Sequence, residues 1–413
     1  MEKTKGQTKM KTLLTTLSLF LCSLTLAAQT ESILHSFAPG TSDGQNPQGG
    51  LIFDSSGNLY GTASVGGTNN TGVIFELSPS QVETILYNFG TGSVSPDTPN
   101  SSLLFDSAGN LYGTSAGGGY PATADDGTVF ELTHAPKGTL VVKLLHGFYA
   151  DYFPEPGTPA GILFDSLGNL WGTSFRSGDR GQGTLYEMQS CVGCGYEWSA
   201  VEKVSFGGTL RAGSYPVPGL TMDSLGNFYG ATLSGGGPTN DGTVFEYQPS
   251  IPQITTLVSF NGINGKSPSP SGVIFDSQGN LYGATMLGGA AGKGNVYELS
   301  PNGSGGWTQK VLFAFNGNNG QSPEALTFDS SGNLYGTTTL GGQYGAGTLF
   351  KLSPPAENAT NGGWSLTVIH NFGGSGDGAT PVGNLIFDSL GNVYGVTSAG
   401  GANGVGTVWE VTP

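Results

Sequence analysis

Charge is scarce in this chain. Only 10% of its 413 residues are Asp, Glu, Lys or Arg, well under the quarter found in an ordinary globular domain. Acidic residues outnumber basic ones 29 to 14, so the net charge is −15. Phosphate recognition needs a basic patch, so no nucleic-acid partner is expected. Attraction to an anionic membrane surface is not expected either, for the same reason. Histidine and cysteine are rare, with four and three copies. There is no P-loop and no Gly-X-Y period, which removes collagen.

Glycine is what the chain has in excess, with 72 residues of 413. Each Gly inside a helix costs roughly 1 kcal/mol, so a helical protein is excluded. Aromatic residues reach 10%, which argues against disorder. The composition is that of a Gly-rich, turn-rich, all-β protein.

The amino terminus reads as an export signal over residues 1–27. Lys3, Lys5, Lys9 and Lys11 precede an apolar run from Leu13 to Ala27. Thr25-Leu26-Ala27 puts small residues at −3 and −1 of a cleavage site, with Ala28 next. Either Met1 or Met10 serves as the start. The run is too short and too close to the end for a membrane span. Leu21 before Cys22 disfavours lipidation. The mature chain, 28–413, is expected outside the cytoplasm, extracellular or loosely surface-associated, with the periplasm as the alternative.

One unit dominates the rest. Its first copy runs from Leu51 to Pro79, LIFDSSGNLYGTASVGG followed by GVIFELSP. Its Asp recurs at Asp54, Asp106, Asp165, Asp223, Asp276, Asp329 and Asp388, at spacings of 52, 59, 58, 53, 53 and 59 residues. Each unit resolves into four short strands, in the first copy Leu51–Asp54, Asn58–Ala63, Gly72–Ser78 and Thr84–Phe89. Asp-Ser-x-Gly-Asn, Gly-Gly and Ser-Pro separate them. Four strands in about 55 residues is the size of a propeller blade. A lone fourth-type strand, Ile33–Phe37, precedes the first copy, and the last copy stops on a third-type strand, Gly406–Val411. Pairing the two closes a ring and removes exposed sheet edges. The expectation is a seven-bladed β-propeller, all-β, with four antiparallel strands per blade and the last blade completed by the N-terminal strand.

The repeated residues then have structural tasks. Asp54 and its equivalents fit an Asx-turn. A Ca²⁺ site in each turn is poorly supported, because one carboxylate faces an ion that takes six to eight oxygens. Tyr60, Tyr112, Trp171, Tyr229, Tyr282, Tyr335 and Tyr394 are expected between blades. Gly61 and its equivalents mark close approach of another group.

The unit F-D-S-x-G-N-L-Y-G-T-x-x-x-G-G…G-T-V-F-E-L resembles the GloVer tandem repeat. The match is cleanest at Phe275–Leu299 and Phe328–Leu352. The third copy departs from it, with Trp171 for Tyr and Ser177-Gly178 for Gly-Gly. The resemblance implies an exported bacterial protein of repeat architecture and implies no activity. The sequence runs only to Val411-Thr412-Pro413, which leaves no room for an anchor and favours release or loose association.

Chemistry is sought where the copies differ. Blade three and its neighbours carry the richest loops. Asp151, Tyr152 and Glu155 follow Phe148, and Arg176, Asp179 and Arg180 lie on the next loop of that face. Tyr120, Asp125, Asp126, Arg211 and Tyr215 come from adjacent loops. Aromatic faces with carboxylates and guanidinium groups suit a glycan or peptide ligand. The competing reading is an irregular blade whose loops pair their own charges.

The leading expectation is a non-enzymatic binding scaffold, monomeric, for a glycan or an extracellular protein, with no cofactor and no metal. The alternative is a carbohydrate-active enzyme, a carboxylate-based glycoside hydrolase or lyase, with its site on the loops of blades two to four. Asp125 with Asp151 or Glu155 is the carboxylate pair such an enzyme would need. His35, His146 and His370 share one repeat position, two residues before a strand-ending Phe, and read as strand side chains. His134 stands apart, so no zinc-like spacing is present. A lyase with several His around a central metal is disfavoured for the same reason. Cys191 and Cys194 are expected to form a local disulfide in an exported protein.

Overall fold

The computed structural model describes residues 30–90, 95–119, 126–134, 139–148, 156–190, 198–207, 213–355 and 363–412. All regular structure among them is β, in seven antiparallel sheets. The sheets form a ring, a seven-bladed β-propeller. The sixth blade shows the pattern, running from inner to outer strand as Gln321–Phe328, Leu334–Leu340, Thr348–Ser353 and Ser365–Asn371.

The ring closes as the sequence indicates. The strand Thr30–Ser36 pairs antiparallel with Thr407–Thr412, with Ile33 opposite Trp409, and becomes the outer strand of the seventh blade. Phe37 N–H then bonds Gly406 O at 3.1 Å.

The Asp turn is an Asx device repeated seven times. In the fifth blade Asp276 Oδ1 accepts the N–H groups of Gln278 and Asn280, at 2.8 and 2.9 Å. Its Oδ2 accepts Asn280 Nδ2 at 2.8 Å and the Tyr282 hydroxyl at 3.1 Å. Both oxygens are thus occupied by the chain's own donors. In the third blade the Trp171 indole N–H replaces the hydroxyl and reaches Asp165 at 3.1 Å.

The Tyr ring packs across the blade boundary. Tyr282 meets Phe328 of the next blade edge-on at 5.0 Å, and Tyr394 of the seventh blade meets Phe53 of the first at 5.2 Å. At the third boundary Met222 stands where other copies have Phe. The larger Trp171 fills that space and stacks on Phe228 at 4.5 Å.

Two glycine positions explain their own recurrence. A Cβ on Gly113 would lie 2.6 Å from Phe130 Cζ, so the second strand must be bare where the third-strand aromatic crosses it. A Cβ on Gly347 would lie 2.7 Å from Pro381 of the next blade, and Gly347 has φ +106°. There the third strand of one blade begins against the inner strand of its neighbour.

The inner strand differs from expectation. It begins before the Leu51-type position. Gly44–Pro47 already pairs with Leu59–Gly66, and Ile52–Phe53 rejoins the same neighbour. In the sixth blade the strand is continuous but its register shifts between Pro323 and Leu326. Pro lacks an N–H for the ladder, and the bulge after it turns the next residues away from the sheet. Those residues face the axis.

Candidate functional site

The bulges of all seven blades converge on a central cavity of about 410 Å³. Its wall is built of the residues that follow each inner-strand Pro, from Gln48-Gly49 in the first blade to Gly383-Asn384 in the seventh. The blades touch there backbone to backbone. A Cβ on Gly50 would lie 2.6 Å from Asn384 N, and one on Gly383 would lie 2.6 Å from Gly50 N. Gly50 N–H donates to Ser102 Oγ at 2.8 Å, and Gly219 N–H to Pro270 O at 2.9 Å.

The cavity wall mixes polar and apolar groups and is almost without charge. Gln48, Asn100, Ser101, Ser102, Ser271 and Asn384 supply amides and hydroxyls. Among its lining residues only Glu324 ionises. Burial pushes the Glu324 carboxyl up to about 7, against a hydrogen bond from Gly383 N–H that favours the anion. All four His are described residues, and none of them lines the cavity.

Glu324 is a residue that the sequence reading missed. It follows Pro323, where the other copies have Gln48, Asn100, Ala160, Val217, Ser269 and Val382. The difference between copies is visible in the sequence. That this position faces the axis is not visible without the bulge.

Gly113-Thr114-Ser115-Ala116-Gly117 has the spacing of a nucleophile elbow. Ser115 is fully buried within the strand Leu111–Gly117 and bonds Gly117 O and Thr128 Oγ1, both at 2.7 Å. It is a packing hydroxyl between strands.

Of the residues proposed for the blade-three face, Tyr120, Asp125, Asp151, Tyr152, Glu155 and Arg211 lie outside the described residues, as do Cys191, Cys194 and the segment 1–27. Arg176, Asp179 and Arg180 are exposed on and beside the turn between the second and third strands. That turn meets the fourth blade, because Tyr215 N–H donates to Gln182 O at 2.8 Å. The Tyr215 ring lies 5.1 Å from Phe175, tilted by 32°. The contacts that join this turn to the fourth blade run through Gln182 and Phe175. Asp126 is part-buried at the start of the third strand of blade two. Behind the turn, burial and then Asp179 push Glu202 up to about 7.

The rim holds a second feature. His35 and His370 are outer-strand side chains, as expected, but each meets two carboxylates. His35 Nε2 lies 3.4 Å from Asp43 Oδ2 and 3.6 Å from Glu83 Oε2. His370 Nε2 lies 2.9 Å from Asp377 Oδ2 and 3.3 Å from Glu31 Oε2. Burial, the hydrogen bond shared with Asp377 and its charge push Glu31 up to about 8. Burial and the Asp43 charge push Glu83 to the same value, against the pull of His35. Burial alone would raise Asp43 and Asp377, but hydrogen bonds from the paired His and from backbone N–H groups hold both below the ordinary range. His146, at the same repeat position, instead bonds Trp198 O at 3.3 Å, and burial lowers it to about 4.

Solved structures with the same fold include virginiamycin B lyase from Staphylococcus aureus, a catalytically inactive variant with quinupristin. It is 15% identical, with TM-score 0.56, over 93% of this chain and 99% of that one. Two extracellular domains from B. thetaiotaomicron also match. One belongs to a protein assigned as a hybrid two component system, at 14% identity and TM-score 0.53 over 90% of this chain. The other belongs to one assigned as a one component system, at 15% and 0.55 over 93%. This chain spans 39% and 42% of those two extracellular-domain chains. These likenesses show the fold alone. No curated protein matches the sequence. The family model for the Gloeobacter/Verrucomicrobia repeat matches residues 20–194, 81–280 and 308–413. That match, over seven copies of the D-S-x-G-N unit that each form one blade, places this chain in the Gloeobacter/Verrucomicrobia repeat family.

Proposed function

We propose that the protein is an exported, non-enzymatic binding propeller whose axial cavity takes a neutral, polar ligand such as a glycan chain end or a peptide. One observation carries this reading: amides, hydroxyls and backbone groups, interspersed with aliphatic side chains such as Leu104 and Ile162, line the cavity around a single carboxyl, Glu324. Such a wall can orient hydrogen-bonding groups. Carboxylate-based glycoside hydrolysis uses two carboxyl groups about 5–9.5 Å apart, and the lining offers one. Two of the fold relatives are extracellular domains, and the basic, apolar amino terminus agrees with export. Among the described residues no helix is long and apolar enough to cross a membrane.

The test is a thermal-shift and calorimetric screen of oligosaccharides and peptides against the protein and its Glu324→Gln variant. A ligand that binds only the folded state raises the melting temperature. The reading expects a hit that Glu324→Gln weakens at least tenfold. A hit that Glu324→Gln leaves unchanged removes the axial site. Turnover of any glycan in the panel removes the non-enzymatic reading.

The blade-three face is a second site in this proposal. The Tyr215–Phe175 ring pair beside the exposed Arg176 and Arg180 favours it. A hit there is abolished by Arg180→Ala or Tyr152→Ala and is indifferent to Glu324→Gln.

A further inference from the structure

The two rim clusters are one design used twice. His35 and His370 each stand two residues before the Phe that ends an outer strand, at Phe37 and Phe372. Asp43 and Asp377 each stand four residues before the inner-strand Pro, at Pro47 and Pro381. Glu83 and Glu31 each stand six residues before an outer-strand Phe, at Phe89 and Phe37. One cluster therefore spans blades six and seven, and the other spans blades seven and one. The N-terminal strand gives a residue to both, Glu31 to the first and His35 to the second.

The junction of blades four and five is an internal control. There Asn264 and Gln309 occupy the Asp and Glu positions. Asn264 Nδ2 donates to Gln309 Oε1 at 2.7 Å, and Gln309 Nε2 donates to Asn264 O at 2.9 Å. The amide pair satisfies itself. The acidic pairs can do so only by holding a proton between them, because two ionised carboxylates bring acceptors only. Asp377 Oδ1, Glu31 Oε1 and Glu83 Oε1 are buried and meet no donor. The Asp377 side chain is only 9% exposed. Buried carboxyl oxygens without a partner are costly, and here they recur at equivalent places.

We propose that each cluster is a site for a divalent transition metal ion, with Zn²⁺ as the reference ion, and that the two ions fasten the N-terminal strand into the ring. The donor set is one imidazole nitrogen and two carboxylates, which suits such ions. The donor atoms of each cluster all lie within 4.8 Å of one another. Bonds of about 2.0–2.2 Å in a tetrahedral site put donors roughly 3.4 Å apart, and the His-to-carboxylate distances are 3.4, 3.6 and 3.3 Å, with 2.9 Å for His370–Asp377. Three protein ligands leave a fourth position for water. A hard ion such as Ca²⁺ prefers six to eight oxygens and no nitrogen.

The test is calorimetric titration of the chelator-stripped, full-chain protein with Zn²⁺. Two equivalents are expected. Glu83→Gln should bind one, Glu31→Gln with Asp377→Asn should bind one, and the triple variant none. The amide variants copy the Asn264–Gln309 junction, so they should keep the native far-UV signal. His134→Ala, at an exposed His outside both clusters, should still bind two. Zn²⁺ should raise the melting temperature of the unsubstituted protein and leave the triple variant unmoved. Absence of Zn²⁺ binding in the unsubstituted protein overturns the proposal. So does retention of two equivalents in the triple variant.

Discussion

In the fifth blade Asp276 and Gly283 do what Asp54 and Gly61 do in the first. At the axis and on the rim the blades are unalike. Glu324 stands where six other copies have neutral residues, and among the described residues only two junctions carry the His–Asp–Glu set. The turns, the Tyr–Phe contacts and the Gly–Pro joints set the geometry of every blade, so a change in any copy damages the same frame. The axis and the rim hold the residues by which the copies differ. Repetition inside this chain therefore marks structure, and departure from it marks where to look for function.

The comparison can be tested by substitutions on each side. The largest loss is expected from Trp409→Ala. Its ring is fully buried against Phe372 at 5.2 Å beside the closing strand, and large-to-small changes of this kind cost about 3–5 kcal/mol. Denaturant unfolding measures it. Gly113→Ala follows. The new methyl would lie 2.6 Å from Phe130, and overpacking costs about 1–3 kcal/mol. Asp276→Ala removes four hydrogen bonds from one turn. The expected loss is about 1–3 kcal/mol, since the N–H groups stay partly solvated.

On the other side of the comparison, Glu324→Gln should change a pH profile more than a stability. The folded-state value near 7 lies above the ordinary 4.5, so the fold binds this proton more tightly than the open chain does. Its contribution is complete below pH about 4.5 and is lost as pH rises through about 7. Stability of the unsubstituted protein should decline across that window, and the Gln variant should show a flatter profile. Equal slopes would place Glu324 in bulk solvent. The smallest effect is expected from Arg180→Ala, an exposed residue, whose stability should move by less than about 0.5 kcal/mol. A larger loss would make the blade-three turn part of the frame.

Much of this frame is legible from residues alone. The Asp spacing gives the number of blades, and Gly-Asn after Asp-Ser gives the turn. That Tyr60 packs between blades and that another group closely approaches Gly61 is legible too, while their partners, Phe105 and Phe75, are not. Closure is legible because Ile33–Phe37 has the outer-strand pattern with no inner strands before it. The axial site is not legible, because a bulge decides which way Glu324 points, and a bulge shifts the period-two rule by one residue. The rim clusters are not legible from ligand spacing either. Glu31 and His370 lie near opposite ends of the sequence, and only ring closure brings them together. A search for His and carboxylates at short intervals passes over a site whose parts come from two outer strands and the segment that leads into an inner strand.

Closure has a consequence in time. Ala402 N–H bonds Ser36 Oγ across 366 residues of sequence. Synthesis at about 5–20 residues per second separates those two groups by roughly 20–70 s. Throughout that interval the first strand has no partner, and the six blades that precede the seventh form an open arc with a free edge at each end. Such edges invite pairing with other chains. A chaperone that shields the strand Thr30–Ser36 until Thr407–Thr412 has emerged would therefore raise the yield of closed rings more than one acting on any interior blade.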